Sequence, residues 1–219
     1  MRIKTFEFNP LGVNSYVLSD DTHECVVIDA ACFYADEKEL LINYIIDNDL
    51  VVKHLINTHL HFDHIFGVNA ISSQFGPTLE CHKADEFLLE GISDQLKMFG
   101  IPSSSANNDL RPKIGKYLDE GDNIIFGNQI LKVFHVPGHS PGSIVFYSEA
   151  FDCVFSGDVL FYGSIGRTDL VGGDFEQLHD GIKNKLFIMP ADTVVYPGHG
   201  PTTTIGYEKK NNPFVGTGL

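Results

Sequence analysis

The 219-residue sequence predicts an α/β fold, two mixed β-sheets packed face to face with helices outside. Three observations point there. Short runs rich in β-branched and aromatic residues, bounded by turn signals, recur through the chain. Strands followed by helices occur twice, once over about residues 1–112 and once over about 113–219. No stretch between the halves has the composition of a domain linker, so a single domain spanning 1–219 is expected.

RIKTFEF, VNSYVLS and CVVIDA open the chain as strands, separated by Asn-Pro, Gly and Asp-Asp turn signals. ADEKELLINYIIDNDL follows as a helix, with Leu40, Leu41, Tyr44 and Ile45 at helical spacing. VVKHLINT is a strand that runs straight into HLHFDH. IFGVNAISSQFG reads as a short helix ending at Gly76-Pro77, and TLECH as a strand. KADEFLLEGISDQLKMFG reads as one longer helix stopped at Gly100. Residues 101–112, IPSSSANNDLRP, make a loop, either a mobile flap over a site or a surface insertion. The strand pattern restarts in KYLDEGDNIIFG, QILKVFHV, SIVFYS and DCVFSG. Asp174 with Gln177 forms a capping box for a helix over DFEQLHDGIKNKLFIM, and TVVYP is a last strand.

Composition narrows the partners. Hydrophobic content of 43% and charged content of 20% suit a soluble globular protein. The net charge of -14 repels nucleic acid and anionic lipid, and the few basic residues are scattered, so neither partner is expected. MRIKTFEFNPLGVNSYVL lacks a secretory apolar core, and no apolar run reaches spanning length. The four cysteines form no CxxC; Cys25 and Cys153 lie in apolar strands and read as buried free thiols, while Cys32 and Cys81 could be buried or exposed. A reducing cytoplasm is the expected compartment.

HLHFDH, residues 59–64, crowds His59, His61, Asp63 and His64 together. Three further segments share its grammar, an apolar strand ending in a small-residue turn with a candidate ligand. VFHVPGHSPGS offers His139, VFSGDVLF offers Asp158, and VVYPGHGP offers His199. Each alone reads as an ordinary turn residue; four such turns together read as a site carried on the ends of strands. In an extended segment residues two apart point the same way, so His59 and His61 can grip one ion. Asp63 and His64, after the bend, can face a second. Imidazole and carboxylate without thiolate suit zinc and would accept iron or manganese. Two adjacent cations need a shared carboxylate, and Asp158 is the candidate. His54 and His135 read as structural, and His23, His82 and His179 as surface residues.

HLHFDH, PGHSPGS, SGD and PGHG, in that order over nearly the whole chain, resemble the metallo-β-lactamase superfamily. The resemblance implies a four-layer αββα sandwich with the site at one edge of the sheets. It implies that His59, His61 and His139 hold one metal, that Asp63, His64 and His199 hold the other, and that Asp158 bridges them. SGDVLFYGSIGRTDL and YPGHGPTTTIGYEKKNNPF look most like the glyoxalase II branch, the hydroxyacylglutathione hydrolases and their short bacterial relatives. There a basic residue about nine positions after the bridging aspartate binds the thiol carrier's carboxylate, and Arg167 occupies the matching place. The reading of Arg167 from its own neighbours is a loop brace paired with Asp169 or Asp174. Only 20 residues follow His199, so the added helical portion of glyoxalase II, with its further glutathione contacts, is not expected here.

The expected activity is hydrolysis of a small-molecule thioester. Two divalent ions make hydroxide available at neutral pH by lowering the pKa of water to ~7. Asp63 and Asp158 are the carboxylates at the reacting centre. A thiolate, from a thiol of pKa ~8.5, departs without a proton donor; an amine would need one, and no obvious acid stands outside the ligand set beyond Tyr162, in the loop after Asp158, which with Arg167 is a candidate substrate-binding residue. The alternatives are a persulfide dioxygenase, a sister branch with a GRTD-like stretch and one iron on two histidines and an aspartate, and a non-catalytic metal-binding protein. The intact second set, Asp63, His64 and His199, favours the hydrolase. A secreted β-lactamase is disfavoured by the absence of a signal peptide, and an RNA-processing nuclease by the net charge.

Overall fold

The β-branched runs at the start of the chain form β1 (Arg2–Phe8), β2 (Val13–Ser19) and β3 (Glu24–Ile28) in a computed structural model that describes residues 1–98, 100 and 111–218. Consecutive strands here pair antiparallel. The chain divides into two compact units, Met1–Tyr117 with Phe126–Gln129, and Leu118–Ile125 with Ile130–Leu219.

The first unit continues its sheet with β4 (Val51–Ile56), β5 (Leu79–Cys81) and β6 (Ile114–Tyr117), in the order β1-β2-β3-β4-β5-β6. β3 through β6 run parallel, which makes the sheet mixed. Parallel neighbours need crossovers, and α1 (Ala35–Asp47) and α2 (Val68–Phe75) supply the first two. Leu41 and Ile45 of α1 are fully buried, whereas Leu40 is 54% exposed, so its apolar stripe is narrower than the sequence suggests. α2 stops at Gly76, whose φ of 96° is the left-handed cap expected there. The long helix expected after TLECH is two pieces, a 3₁₀ stretch over Lys83–Leu89 and then α3 (Ile92–Met98). Gly91 separates them, where a helix interior would cost most in backbone entropy. Gly100 has the left-handed backbone of a stop, with φ 68°. Of the loop over 101–112, residues 101–110 lie outside the described residues.

The first core gathers Phe8, Val17, Val27, Leu41, Ile45, Leu55 and Ile71 around the sheet. Leu60, Phe62 and Ile65 belong to it as well. The apolar positions of HLHFDH thus anchor the segment in the core, and burial of each, at roughly 1.5–3 kcal/mol, holds the intervening histidines in place.

In the second sheet β7 (Asn123–Phe126), β8 (Gln129–His135), β9 (Ile144–Ser148) and β10 (Cys153–Gly157) are consecutive neighbours, the last three antiparallel. A small hairpin follows, β11 (Leu160–Phe161) with β12 (Ser164–Ile165), too short to show a periodicity in the sequence. α4 (Phe175–Gly181), continued by a π-turn over Ile182–Leu186, crosses to β13 (Val194–Pro197), which runs parallel to β10. Asp174 caps α4 by accepting the Gln177 amide at 3.0 Å. The segment TVVYP is not the last strand: β14 (Thr203–Thr204) pairs with Val194 and Val195, and α5 (Ile205–Asn211) follows. The second core contains Val145, Val154, Leu178, Ile182, Val195 and Ile205. All four cysteines are free and buried, including Cys32 and Cys81. Among the described residues no helix is long and apolar enough to cross a membrane.

Candidate metal centre

In the first unit β4 runs parallel to β3 and β5, and HLHFDH leaves its carboxyl end, the usual place for a site in such sheets. A 3₁₀ turn over Phe62–His64 bends the chain immediately after His61. His59, His61, Asp63 and His64 are all buried. The His59 ring centroid lies 4.8 Å from that of His61 and 4.1 Å from that of His64. One donor atom of His59 comes within 4.8 Å of one of His61, and the same holds for Asp63 with His64.

What aims these rings is a carboxylate that sequence reading passed over. Asp29, at the end of β3, accepts the Thr58 amide and the Thr58 hydroxyl at 2.7 Å each, and His64 Nδ1 lies 3.0 Å from it. Because the Thr58 hydroxyl gives its proton to Asp29, its oxygen accepts from His59 Nδ1, 3.1 Å away. Asp29 therefore orients His64 directly and His59 through Thr58. Neighbouring amides complete the frame: Asn57 donates to the His64 carbonyl at 2.9 Å, Asn9 to the Asp63 carbonyl at 3.0 Å, and the Leu60 amide to buried Asp85 at 3.1 Å. CVVIDA has the grammar of the ligand turns, an apolar strand ending in a carboxylate, and that signal could have found Asp29.

In the second unit β8, β10 and β13 all point the same way, and His139, Asp158 and His199 follow their carboxyl ends. Two of the turns depend on glycine. Gly138 has φ 131°, and a Cβ there would come within 2.4 Å of the Leu178 amide. Gly157, with φ 49°, sits at a break in the β10–β13 register. Gly198 is not left-handed; Gly200, with φ 75°, makes the turn after His199. Asp158 Oδ2 lies 3.6 Å from His139 Nε2 and 3.6 Å from His199 Nε2. Two ligand atoms at ~2.1 Å from one tetrahedral ion stand about 3.4 Å apart, so the spacing suits ligation. His139 Nδ1 donates to the Arg167 carbonyl at 2.8 Å.

The donor chemistry fits divalent ions. His59, His64 and His139 each have Nδ1 committed to a protein oxygen, which makes Nε2 the nitrogen with the lone pair, the arrangement that metal-binding histidines need. The remaining histidines do not join them. His54 Nδ1 pairs with Glu80 at 2.6 Å, His135 Nε2 meets the Pro141 carbonyl at 2.8 Å, and His82 caps the 3₁₀ stretch. His179 lies 3.2 Å from Asp180, and His23 is exposed.

The two residues proposed for substrate have other engagements. Arg167 forms a bidentate pair with Asp169, both contacts 2.7 Å, in an exposed position. That pair holds the Asp169 carboxyl down at about 2. Tyr162 is 52% exposed and stacks on Tyr207, with centroids 5.1 Å apart and hydroxyls 3.1 Å apart.

The sequence profile of the metallo-β-lactamase superfamily matches residues 8–199. The chain belongs to this superfamily. Its relatives include hydroxyacylglutathione hydrolase GloC of Haemophilus influenzae, 35% identical over 216 residues that cover 98% of both chains. Among solved structures, the BLEG-1 B3 metallo-β-lactamase superposes with TM-score 0.87 at 36% identity, covering 99% of this chain and 100% of that one. A di-iron-bound form of TTHA1623 does so with TM-score 0.83 at 34% identity, covering 96% and 99%. ETHE1 from Myxococcus xanthus gives TM-score 0.78 at 26% identity, covering 98% and 85%. The metallo-β-lactamase fold, with its two mixed sheets and helices, is thus the fold of this chain, and the metal-dependent hydrolases are its class.

Proposed function

We propose that this metallo-β-lactamase superfamily member hydrolyses a thioester of the hydroxyacylglutathione type, with two divalent ions. His59, His61 and His139 would hold one ion, Asp63, His64 and His199 the other, and Asp158 would be shared between them. The observation that carries the reading is the commitment of Nδ1 in His59, His64 and His139, which presets three ligand nitrogens before any ion arrives. Zinc suits the donor set, and iron, as in the di-iron-bound relative, suits it too.

When bound, the ions supply hydroxide at neutral pH and polarise the scissile carbonyl. The protein's own contribution is to hold those donors in place: His59, His61, Asp63, His64 and His139 are buried, and Asp29 and the Arg167 carbonyl brace His59, His64 and His139. A thiolate leaves without an acid, which matches a donor set rich in ligands. Arg167 would bind a carboxylate of the thiol carrier, sharing its guanidinium with Asp169. The 35% identity to a hydroxyacylglutathione hydrolase supports the same choice of substrate. No nucleic acid or membrane partner is expected from the net charge of -14, and a cytoplasmic setting fits four unpaired thiols.

A substrate panel tests this. Lactoylglutathione and simpler thioesters should be turned over, and a β-lactam much more slowly. Oxygen uptake with glutathione persulfide, without thioester turnover, would assign a mononuclear-iron dioxygenase instead. Bound metal with no turnover of any member would leave a metal-binding protein.

A further inference from the structure

The hairpin that follows Asp158 touches every donor of the second unit. It begins at Asp158 and ends at Arg167, whose carbonyl orients His139 at 2.8 Å. Midway, the Phe161 ring stands edge-on to His199, centroids 6.2 Å apart at 74°. Gly166 packs so tightly that a Cβ there would come within 1.9 Å of the Asp158 carbonyl oxygen and 3.0 Å of His139 Cβ. Yet β11 and β12 pair through only Leu160–Ile165 and Phe161–Ser164, and a two-stranded ribbon is marginal by itself. Something else must hold its tip.

That hold comes from α5. Glu208 is fully buried, and its two oxygens accept the Gly163 amide at the hairpin tip at 3.1 Å each. The Thr203 hydroxyl donates to the same carboxylate at 2.6 Å and the Asn212 amide at 2.7 Å. Asn212 also donates to the Ser164 carbonyl at 3.0 Å, and Tyr207 stacks on Tyr162. One turn of helix thus grips the tip from three sides. Burying a carboxylate is costly even when it is well hydrogen-bonded, and a strong acceptor for three converging donors is what this place gains from it.

We infer that Glu208 is a positioning residue for the metal donors of the second unit: by fixing the Gly163 tip it fixes Asp158, His139 and His199 together. The inference rests on the reading of those three as metal ligands. Glutamine at 208 would turn an NH₂ toward the Gly163 amide and either the Asn212 amide or the Thr203 hydroxyl, so Glu208→Gln weakens the hold on the tip with little change in volume.

The full-length protein, stripped and titrated with zinc against a chromophoric chelator, provides the test, together with the visible spectrum of its cobalt-substituted form. Glu208→Gln should weaken the affinity for both ions, each of which takes a donor from the second unit, by roughly 10–100-fold and alter the cobalt spectrum. Should that variant not fold, Asn212→Ala removes the Ser164 tie and one donor to Glu208 but leaves the Glu208–Gly163 contact, and should give a smaller loss in the same direction. Wild-type zinc affinity and cobalt spectrum in whichever variant folds would overturn the positioning role, whatever its stability. A wild-type chain that binds no metal would instead sink the underlying reading of the site.

Discussion

His64 Nδ1 lies 3.0 Å from Asp29 Oδ2, and both side chains are buried. The same carboxylate accepts the Thr58 amide and hydroxyl, so one aspartate sets the orientation of two imidazoles. Asp29→Asn places an NH₂ among these donors. Chemical denaturation of the metal-free protein should show a loss of about 1.5–3 kcal/mol, that of a charge-assisted hydrogen bond. Zinc affinity should fall roughly 10–100-fold. Unchanged zinc affinity would mean that Asp29 only ties β3 to the Thr58 turn.

Asp158 Oδ2 stands 3.6 Å from the Nε2 of both His139 and His199. A shared carboxylate offsets the repulsion between two cations. Elemental analysis should find close to two divalent ions per wild-type chain, fewer in Asp158→Ala, and thioester turnover lost in that variant. Full metal content and activity in the variant would remove Asp158 from the site.

Arg167 is predicted to act on binding. Arg167→Ala should raise KM for a thioester with a carboxylate on its thiol part about tenfold or more, from a lost contact of ~1.5–3 kcal/mol. A thioester lacking that carboxylate should be barely affected. Asp169→Ala, which frees the guanidinium from its bidentate partner, should lower KM for the first substrate only. The Asp169 carboxyl is depressed to about 2, so the ion pair is present above the ordinary carboxylate range and is lost only as pH falls through about 2. The KM effects should accordingly be flat across neutral pH. Equal damage to both substrates would make Arg167 a brace for the His139 turn.

Burial pushes the thiols of Cys25, Cys32 and Cys81 up to about 12 and that of Cys153 to about 11. Only the thiolate reacts. A disulfide reagent at pH 8 should therefore label none of the four quickly in the native protein and all four after denaturation. Rapid native labelling of any one would show that its segment opens locally.

The strands and the clustering of histidines and aspartates were legible in the sequence for a common reason. β-branched runs bury one or both faces of a sheet, and a metal site tolerates few side-chain types, so VVKHLINTHLHFDH announces both at once. Residues whose chemistry is shared with ordinary turns stayed hidden. Asp29 looks like any aspartate that ends a strand, and Asp85 like one in the first turn of a helix. Glu208 inverts the usual pattern, a charged residue on the buried side of a short helix, so IGYEKKN shows no apolar stripe and α5 escaped notice. KADEFLLEGISDQLKMFG suggests one helix because its apolar spacing survives Gly91 although the helix does not.

Thiol release from lactoylglutathione, followed as zinc or iron is titrated into the stripped protein, tests the central claim most directly. The rate should rise with metal content and level off near two ions per chain, and the stripped protein should be inactive. Full metal loading with no thiol release, or release that does not depend on metal, would contradict a dinuclear thioester hydrolase.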